Sequence, residues 1–380
     1  HFGSRSLVKL KPKSVVPALR SPLRAMKRFL ALAGALLPLA LGWQDCDVLA
    51  PDAAGPFKTT LLKNLTSKGH AVYLQYPSEQ PPAGSKGWPA VVFMHGMTLG
   101  WEWYERHVAQ WASHGFAVAV PFVKSVEADD GLLPVTETDS TSIYAAAALL
   151  KGLADGSVQG PAGMPATVDF ASIGLVGHSM GGEDTMRAAA GLRVPEGMEP
   201  LPSGAVKVAV AQHPSLCTFP PPHPYSITKE EIDAASRNAT LLLFTAENDR
   251  AFLPGTPSVE HSCWEAAKGP AMFASFKKTV CETYPPCENM SSAHGCTLKV
   301  DFVGVGHMCA CDAPGLDTWT SPELKWVTAA LRSHLHHGNS ASSYCSKLLV
   351  GDMPGSFKNS PDVATLEMHF DTPGDDRVWV

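Results

Sequence analysis

The sequence predicts an α/β fold, a mostly parallel β-sheet with helices on both faces. Three observations predict it. Short apolar runs bounded by turn residues recur along the chain, and several are apolar at successive positions, as strands covered on both sides require. Helical patterns fill the gaps between them, which implies crossover connections and parallel strands.

The first segment is read as targeting sequence rather than fold, over residues 1–42. From Met26 the chain runs through Lys27, Arg28 and the apolar stretch FLALAGALLPLALG to Trp43, with the small residues Ala40 and Gly42 at its end. That pattern predicts a cleaved secretory signal over about 26–42. The apolar run is shorter than the roughly 20 residues a spanning helix needs, and Pro38 interrupts it. No integral membrane span is therefore expected. Residues 1–25 are basic, lack Asp and Glu and begin without Met. Two readings stay open for them, upstream sequence read through and the remainder of a longer targeting segment. The second keeps organelle import by a bipartite segment in play beside secretion.

The main domain is expected over residues 43–337. Residues 43–85 supply leading antiparallel strands around HAVYLQYP and a Pro/Gly-rich connection. The core strands are expected at 89–95, 116–121, 172–178, 206–213, 239–246 and 297–305. Helices are expected at 101–113, 138–153, 180–191, 258–268 and 321–336. Trp101, Tyr104 and Trp111 share one face of the first helix, which is best explained by core packing; Trp103 falls off that face, at a position suited to an entrance. Residues 270–296, with Cys281, Cys287, Cys296 and Pro285-Pro286, read as a disulfide-stapled insertion. Residues 338–380 read as a C-terminal extension without a core of its own.

Composition bounds the partners. The 380 residues are 45% hydrophobic and 17% charged with a net charge of -6, an ordinary globular balance. No Lys/Arg-rich stripe is present to neutralise phosphates, so no nucleic-acid partner is expected. All nine cysteines follow the signal, as a chain folding in an oxidising compartment allows. Asn64, Asn238 and Asn289 each begin an N-x-S/T sequon, so a glycoprotein is a further expectation.

The chemistry centres on GHSMG. A Gly-x-Ser-x-Gly pattern is weak alone, and a serine in a tight glycine turn is the competing reading. Here the apolar run IGLVGH precedes it and the helical GGEDTMRAAAG follows, the strand-to-helix context that pushes a serine Oγ into the open. Gly177 and Gly181 lack Cβ atoms and suit the turn and the close packing beneath it. Ser179 is thus the candidate nucleophile; it needs a base, and the base needs a carboxylate. In this order of elements the carboxylate and then the histidine follow at later strand ends. Asp249, in LLLFTAENDRAF, is the expected orienting carboxylate, with Glu247 as its nearest replacement, and His307, in VDFVGVGHMCACD, is the expected base. VVFMHGMT ends the first core strand, so the backbone N–H groups of Met97 and Met180 are the expected oxyanion donors.

His307, Cys309, Cys311 and Asp312 form one metal-like cluster, and His213, Cys217 and His223 another. Neither shows the paired Cys spacing of a zinc site. Disulfides account better for the cysteines, and no metal is expected.

The segments WASHGFAVAVP, GLVGHSMGGEDTMRAAAG, LLLFTAENDRAF and GVGHMCAC together resemble the α/β-hydrolase superfamily over about residues 85–337. The likeness is to the branch of cutinases, poly(ethylene terephthalate) hydrolases and dienelactone hydrolases, with chlorophyllases as near relatives. It implies the α/β-hydrolase fold and a secreted serine carboxylic-ester hydrolase without cofactor. That enzyme would be cutinase- or lipase-like, acting on small-molecule or polymeric esters. Met97 and Ser215 stand where polyester-degrading members carry aromatic residues, so the resemblance does not carry an aromatic clamp over. A family cysteine aligns with Ala246, so the partner of Cys309 is expected elsewhere, the 263–296 region being nearest in sequence. The HG of the oxyanion loop, SHGF and GHS-x-GG are shared with chlorophyllases, which makes a long-chain alcohol ester the alternative substrate. A non-catalytic binding protein on the same fold is the alternative of another class; such proteins usually lack a member of the Ser-His-Asp set.

Overall fold

The computed structural model describes residues 43–96, 99–122, 140–160, 167–214, 227–249, 259–290, 305–316, 319–336 and 342–369. They belong to one compact unit, Gly42–Val380. Nine strands make a single sheet: β1 Thr59–Ser67, β2 His70–Pro77, β3 Trp88–Met94, β4 Ala117–Phe122, β5 Val168–His178, β6 Val206–Gln212, β7 Thr240–Ala246, β8 Ala271–Phe276 and β9 Val363–His369. Their spatial order is β1-β2-β4-β3-β5-β6-β7-β8-β9. The six strands from β4 to β8 in that order run parallel, and β1, β2 and β9 add antiparallel edges. Lys68 and Gly69 both take positive φ between paired Ser67 and His70. Such a turn twists with its strands and fixes their register.

The helices are α1 Glu105–Ser113, α2 Thr141–Asp155, α3 Met180–Ala190, α4 Lys229–Asn238, α5 Val259–Ala266, α6 Lys278–Cys281, α7 Leu324–Leu331 and α8 Tyr344–Val350. Alternation along each strand divides the core into two layers. Val91 and Phe93 of β3 join Trp111, Trp326 and Leu349 on one side. Ala90, Val92 and Met94 join Ile143, Leu150, Met186 and Ile232 on the other. A strand with helices on both faces has no polar side, which is why these runs read as continuously apolar.

The α/β reading and the five core strands from β3 to β7 match their expected positions to within a few residues. The sixth expected strand, 297–305, falls almost wholly outside the described residues; its last residue, Val305, opens a 3-10 turn, Val305–Ala310. The sheet is instead extended by β8, inside the stretch read as an insertion, and by β9, inside the stretch read as an extension. AMFASF is too short and too close to the cysteine-rich sequence to stand out. β9 is only half-buried and carries polar residues, which is the pattern of an edge strand. Helix α4 was also hidden in the sequence, although Thr228 and Glu231 form the reciprocal cap that such a helix start favours. Trp103 is 1% exposed and packs in the core, so it does not line an entrance.

Two disulfides join described cysteines. Cys46–Cys345 links positions 299 residues apart, and Cys281–Cys309 fastens α6 to the turn that carries His307. The second places the partner of Cys309 in the 263–296 region, where it is expected. Cys263 and Cys287 are disulfide-bonded as well, and Cys311 is a buried thiol.

Candidate active site

Ser179 stands between the end of β5 and the start of α3 with φ 59° and ψ -126°. A non-glycine residue is strained there. The surrounding glycines make the conformation possible. A Cβ on Gly177 would lie 2.0 Å from the Gly181 carbonyl oxygen, and one on Gly181 would lie 2.3 Å from that of Met94. Neither position accepts a side chain, so the turn is held by close backbone contact. Ser179 N–H donates to the Gln212 carbonyl at 2.8 Å, tying the turn to β6. Met180 is the first residue of α3, where backbone N–H groups lack intrahelical acceptors and the helix dipole is positive.

The end of β3 meets this turn directly. A Cβ on Gly96 would come within 3.1 Å of Ser179 Cβ, 3.0 Å of His178 Nδ1 and 3.2 Å of the Tyr104 hydroxyl. The Gly96 N–H donates to that hydroxyl at 3.1 Å, and the hydroxyl and His178 Nδ1 are 2.7 Å apart. His178 Nε2 lies 2.9 Å from the His307 carbonyl. A carbonyl only accepts, so Nε2 carries the proton, and Nδ1 accepts from Tyr104. Burial first, then the neighbouring Cys311, pushes the Tyr104 phenol well above its ordinary pKa, which keeps it a donor. One chain of hydrogen bonds thus joins the β3 loop, α1, the serine strand and the histidine turn. Both ring nitrogens of His178 are committed to it. Met97, the other expected oxyanion donor, lies outside the described residues.

Asp249 follows β7, and its two carboxylate oxygens each lie 3.1 Å from His307 Nδ1. Gly306 makes the approach possible, since a Cβ there would sit 2.6 Å from the Asp249 backbone nitrogen. His307 and the Asp249 side chain are buried. The structure therefore brings Asp249 and His307 into hydrogen-bond contact. It also places the His307 ring 4.9 Å from that of His178, the neighbour of Ser179. No hydrogen bond joins Ser179 Oγ to His307, and the Oγ is buried. Glu247, the alternative carboxylate, instead accepts from Lys278 N–H.

Sequence reasoning missed the partners on the far side of Asp249. His213, at the end of β6, has φ 50°. Its Nδ1 is 2.6 Å from Asp249 Oδ2, and its Nε2 is 2.6 Å from Glu323 Oε1. Gln212 Nε2 donates to the second oxygen of Glu323 at 2.7 Å. Burial opposes charge on His213, but the Glu323 charge, the hydrogen bonds to Asp249 and Glu323, and the Asp249 charge outweigh it, pushing its pKa from 6.5 up to about 10. For Asp249, burial raises the pKa. The His307 charge, hydrogen bonds from both histidines and the His213 charge together hold it below the ordinary 3.8. The only sequence signal is the position of His213 at a strand end, in a loose group with Cys217 and His223, both outside the described residues.

Donor atoms of His213, Asp249 and His307 lie within 4.8 Å of one another, close enough to surround a metal ion. The chemistry does not fit one. With a carboxylate oxygen on each ring nitrogen, His213 is doubly protonated and has no lone pair to offer a metal.

Residues 61–197 match the family model of the chlorophyllases. The matched stretch includes Gly96 and the whole Ser179 turn and ends before Asp249 and His307. A search of curated proteins finds no match. Among the described residues no helix is long and apolar enough to cross a membrane. In its mostly parallel nine-stranded sheet and in its match to a family of that superfamily, the chain has the α/β-hydrolase fold.

Proposed function

We propose that the chain is a serine carboxylic-ester hydrolase in which Ser179, His307 and Asp249 form the catalytic triad. The carrying observation is the buried Asp249–His307 pair beside the strained Ser179 turn. In this reading His307 Nε2 takes the Ser179 proton as Oγ attacks the ester carbonyl. Asp249 holds Nδ1–H and stabilises the imidazolium. The carbonyl oxygen, becoming negative, is met by the Met180 and Met97 N–H groups. Collapse releases the alcohol and leaves an acyl-enzyme. His307 then draws a proton from water, which attacks the acyl carbon and frees the acid.

Support is strongest at the nucleophile, where motif, strained turn and chlorophyllase match coincide. Ser179→Ala should leave a folded protein with turnover of a short-chain nitrophenyl ester down on the order of 10⁴-fold or more. A wild-type rate in that variant refutes the reading. Fluorophosphonate labelling separates it from a binding protein on the same fold, which would form no Ser179 adduct.

The substrate has two readings. A cutinase- or lipase-like ester rests on the motifs, and a long-chain alcohol ester of the chlorophyll type rests on the match over residues 61–197. Comparing chlorophyll in detergent with a cutin-like polyester, alongside esters graded by acyl length, distinguishes them. The disulfides support folding in an oxidising compartment and hence secretion; mass spectrometry of protein secreted from cells would find the mature terminus near Trp43.

A further inference from the structure

The triad leaves one conspicuous group of buried ionisable side chains unused. Behind Asp249 lie His213 and Glu323, both with fully buried side chains. Together with Asp249 and His307 they form an unbroken row of carboxylate, imidazole, carboxylate and imidazole. Glu323 is itself held, by Gln212 on one oxygen and by its own backbone N–H on Ser321 Oγ. The left-handed φ of His213 shows that the fold maintains this ring position against a conformational cost.

We propose that His213 and Glu323 are positioning residues of the hydrolase site, acting on the reaction through Asp249. This rests on the assignment of Ser179, His307 and Asp249 as the triad. His213 fixes the carboxylate plane by occupying Asp249 Oδ2. As an imidazolium it also sets the electrostatic field in which His307 gains and loses its proton. Glu323 supplies the counter-charge, so that His213 and Glu323 form a neutral pair whose positive end faces the triad. The high pKa of His213, about 10, agrees with a proton held throughout the neutral range.

The charged and titratable groups around the row can be named among the described residues. His213 is faced by Asp249, Glu323, His178 and His307. His307 is faced by Asp249, His178 and His213. His178 has Nε2–H on a carbonyl and Nδ1 against the Tyr104 hydroxyl. The His213 and His307 rings are 5.6 Å apart. At that separation and an effective dielectric constant of about 20, one charge shifts a neighbouring pKa by about two units; the more distant Glu323 returns part of it, leaving about one unit.

The test uses the full chain. His213→Gln combined with Glu323→Gln should move the acidic limb of the kcat/KM profile for a short-chain nitrophenyl ester about one pH unit upward, and His213→Gln alone, which leaves the Glu323 charge in place, about two. The double variant, free of an unpaired buried carboxylate, should recover much of the stability lost by the single one. Nitrogen-15 imidazole spectra of the wild-type protein should show one histidine doubly protonated up to at least pH 8, and that signal should vanish in both variants. A limb unmoved while stability falls would make the pair merely structural and overturn the proposal. So would a wild-type spectrum in which no histidine stays doubly protonated above pH 8, a result independent of whether the variants fold. Failure of the underlying serine-hydrolase reading looks different: wild-type protein takes no fluorophosphonate on Ser179, or Ser179→Ala keeps its turnover.

Discussion

Replacing Tyr104 by Phe removes a single oxygen from a fully packed site and therefore isolates the hydrogen-bond chain that ties the β3 loop to the serine strand. In the wild-type protein the hydroxyl accepts from Gly96 N–H and donates to His178 Nδ1. Tyr104 is 1% exposed, so water cannot readily replace either bond. Each polar group left unsatisfied costs about 1–3 kcal/mol. Cys311 Sγ, 3.6 Å from His178 Nδ1, can offset part of one loss as a weak donor. The expected destabilisation of Tyr104→Phe is thus about 2–4 kcal/mol, read by equilibrium urea denaturation. Activity should fall as well, because Gly96 leads into the loop expected to supply an oxyanion donor; about a tenfold drop in kcat/KM corresponds to 1.4 kcal/mol of lost transition-state stabilisation. A variant within about 0.5 kcal/mol of wild type and with unchanged kcat/KM refutes the coupling, since surface-like substitutions give no more than that.

Other expectations follow from the same geometry. Gly181→Ala places a Cβ 2.3 Å from the Met94 oxygen and 2.6 Å from that of His95; a loss of about 3 kcal/mol or more and of activity is expected by denaturation and ester assay. Replacing both Cys46 and Cys345 by Ser opens a cross-link spanning 299 residues, which should cost about 3–5 kcal/mol in the same denaturation experiment. Two pH effects on stability have opposite signs. Asp249 has a lowered folded pKa, so its contribution is present above about pH 4 and is lost as pH falls. His213 has a raised one, so its contribution is complete below its unfolded pKa of 6.5 and is lost as pH rises towards about 10. Unfolding free energy measured from pH 6 to 10 should therefore decline in wild type and flatten in His213→Gln/Glu323→Gln.

What could be read from the sequence is what local chemistry determines. The Ser179 turn is written in contiguous residues, a buried strand, two glycines and a helix start, so it needed no knowledge of distant partners. Asp249 and His307 were legible because strand ends in this architecture deliver side chains to one edge of the sheet. His213 and Glu323 escaped because their significance is a pairing across 110 residues, and neither stands in a motif. Tyr104 was legible as core but not as a hydrogen-bonding link, since its apolar surroundings explain the ring and say nothing of the hydroxyl. β8 and β9 were hidden for opposite reasons. One is a short buried run beside a cysteine-rich segment, and the other is a half-exposed edge whose polar residues mask the alternation.

The clasp at Cys46 has a temporal side. Asp45 caps α8 by accepting from Tyr344 and Cys345 N–H, and Arg332 donates to the carbonyls of Gln44 and Leu49. Every one of those partners is synthesised almost 300 residues after the segment it holds. During translation Cys46 thus emerges well before its partner Cys345, and seven other cysteines appear between the two. Closure of that bond requires a chain synthesised at least as far as Cys345. A nascent or prematurely terminated product would carry Cys46 as a reactive thiol that an oxidoreductase could recognise.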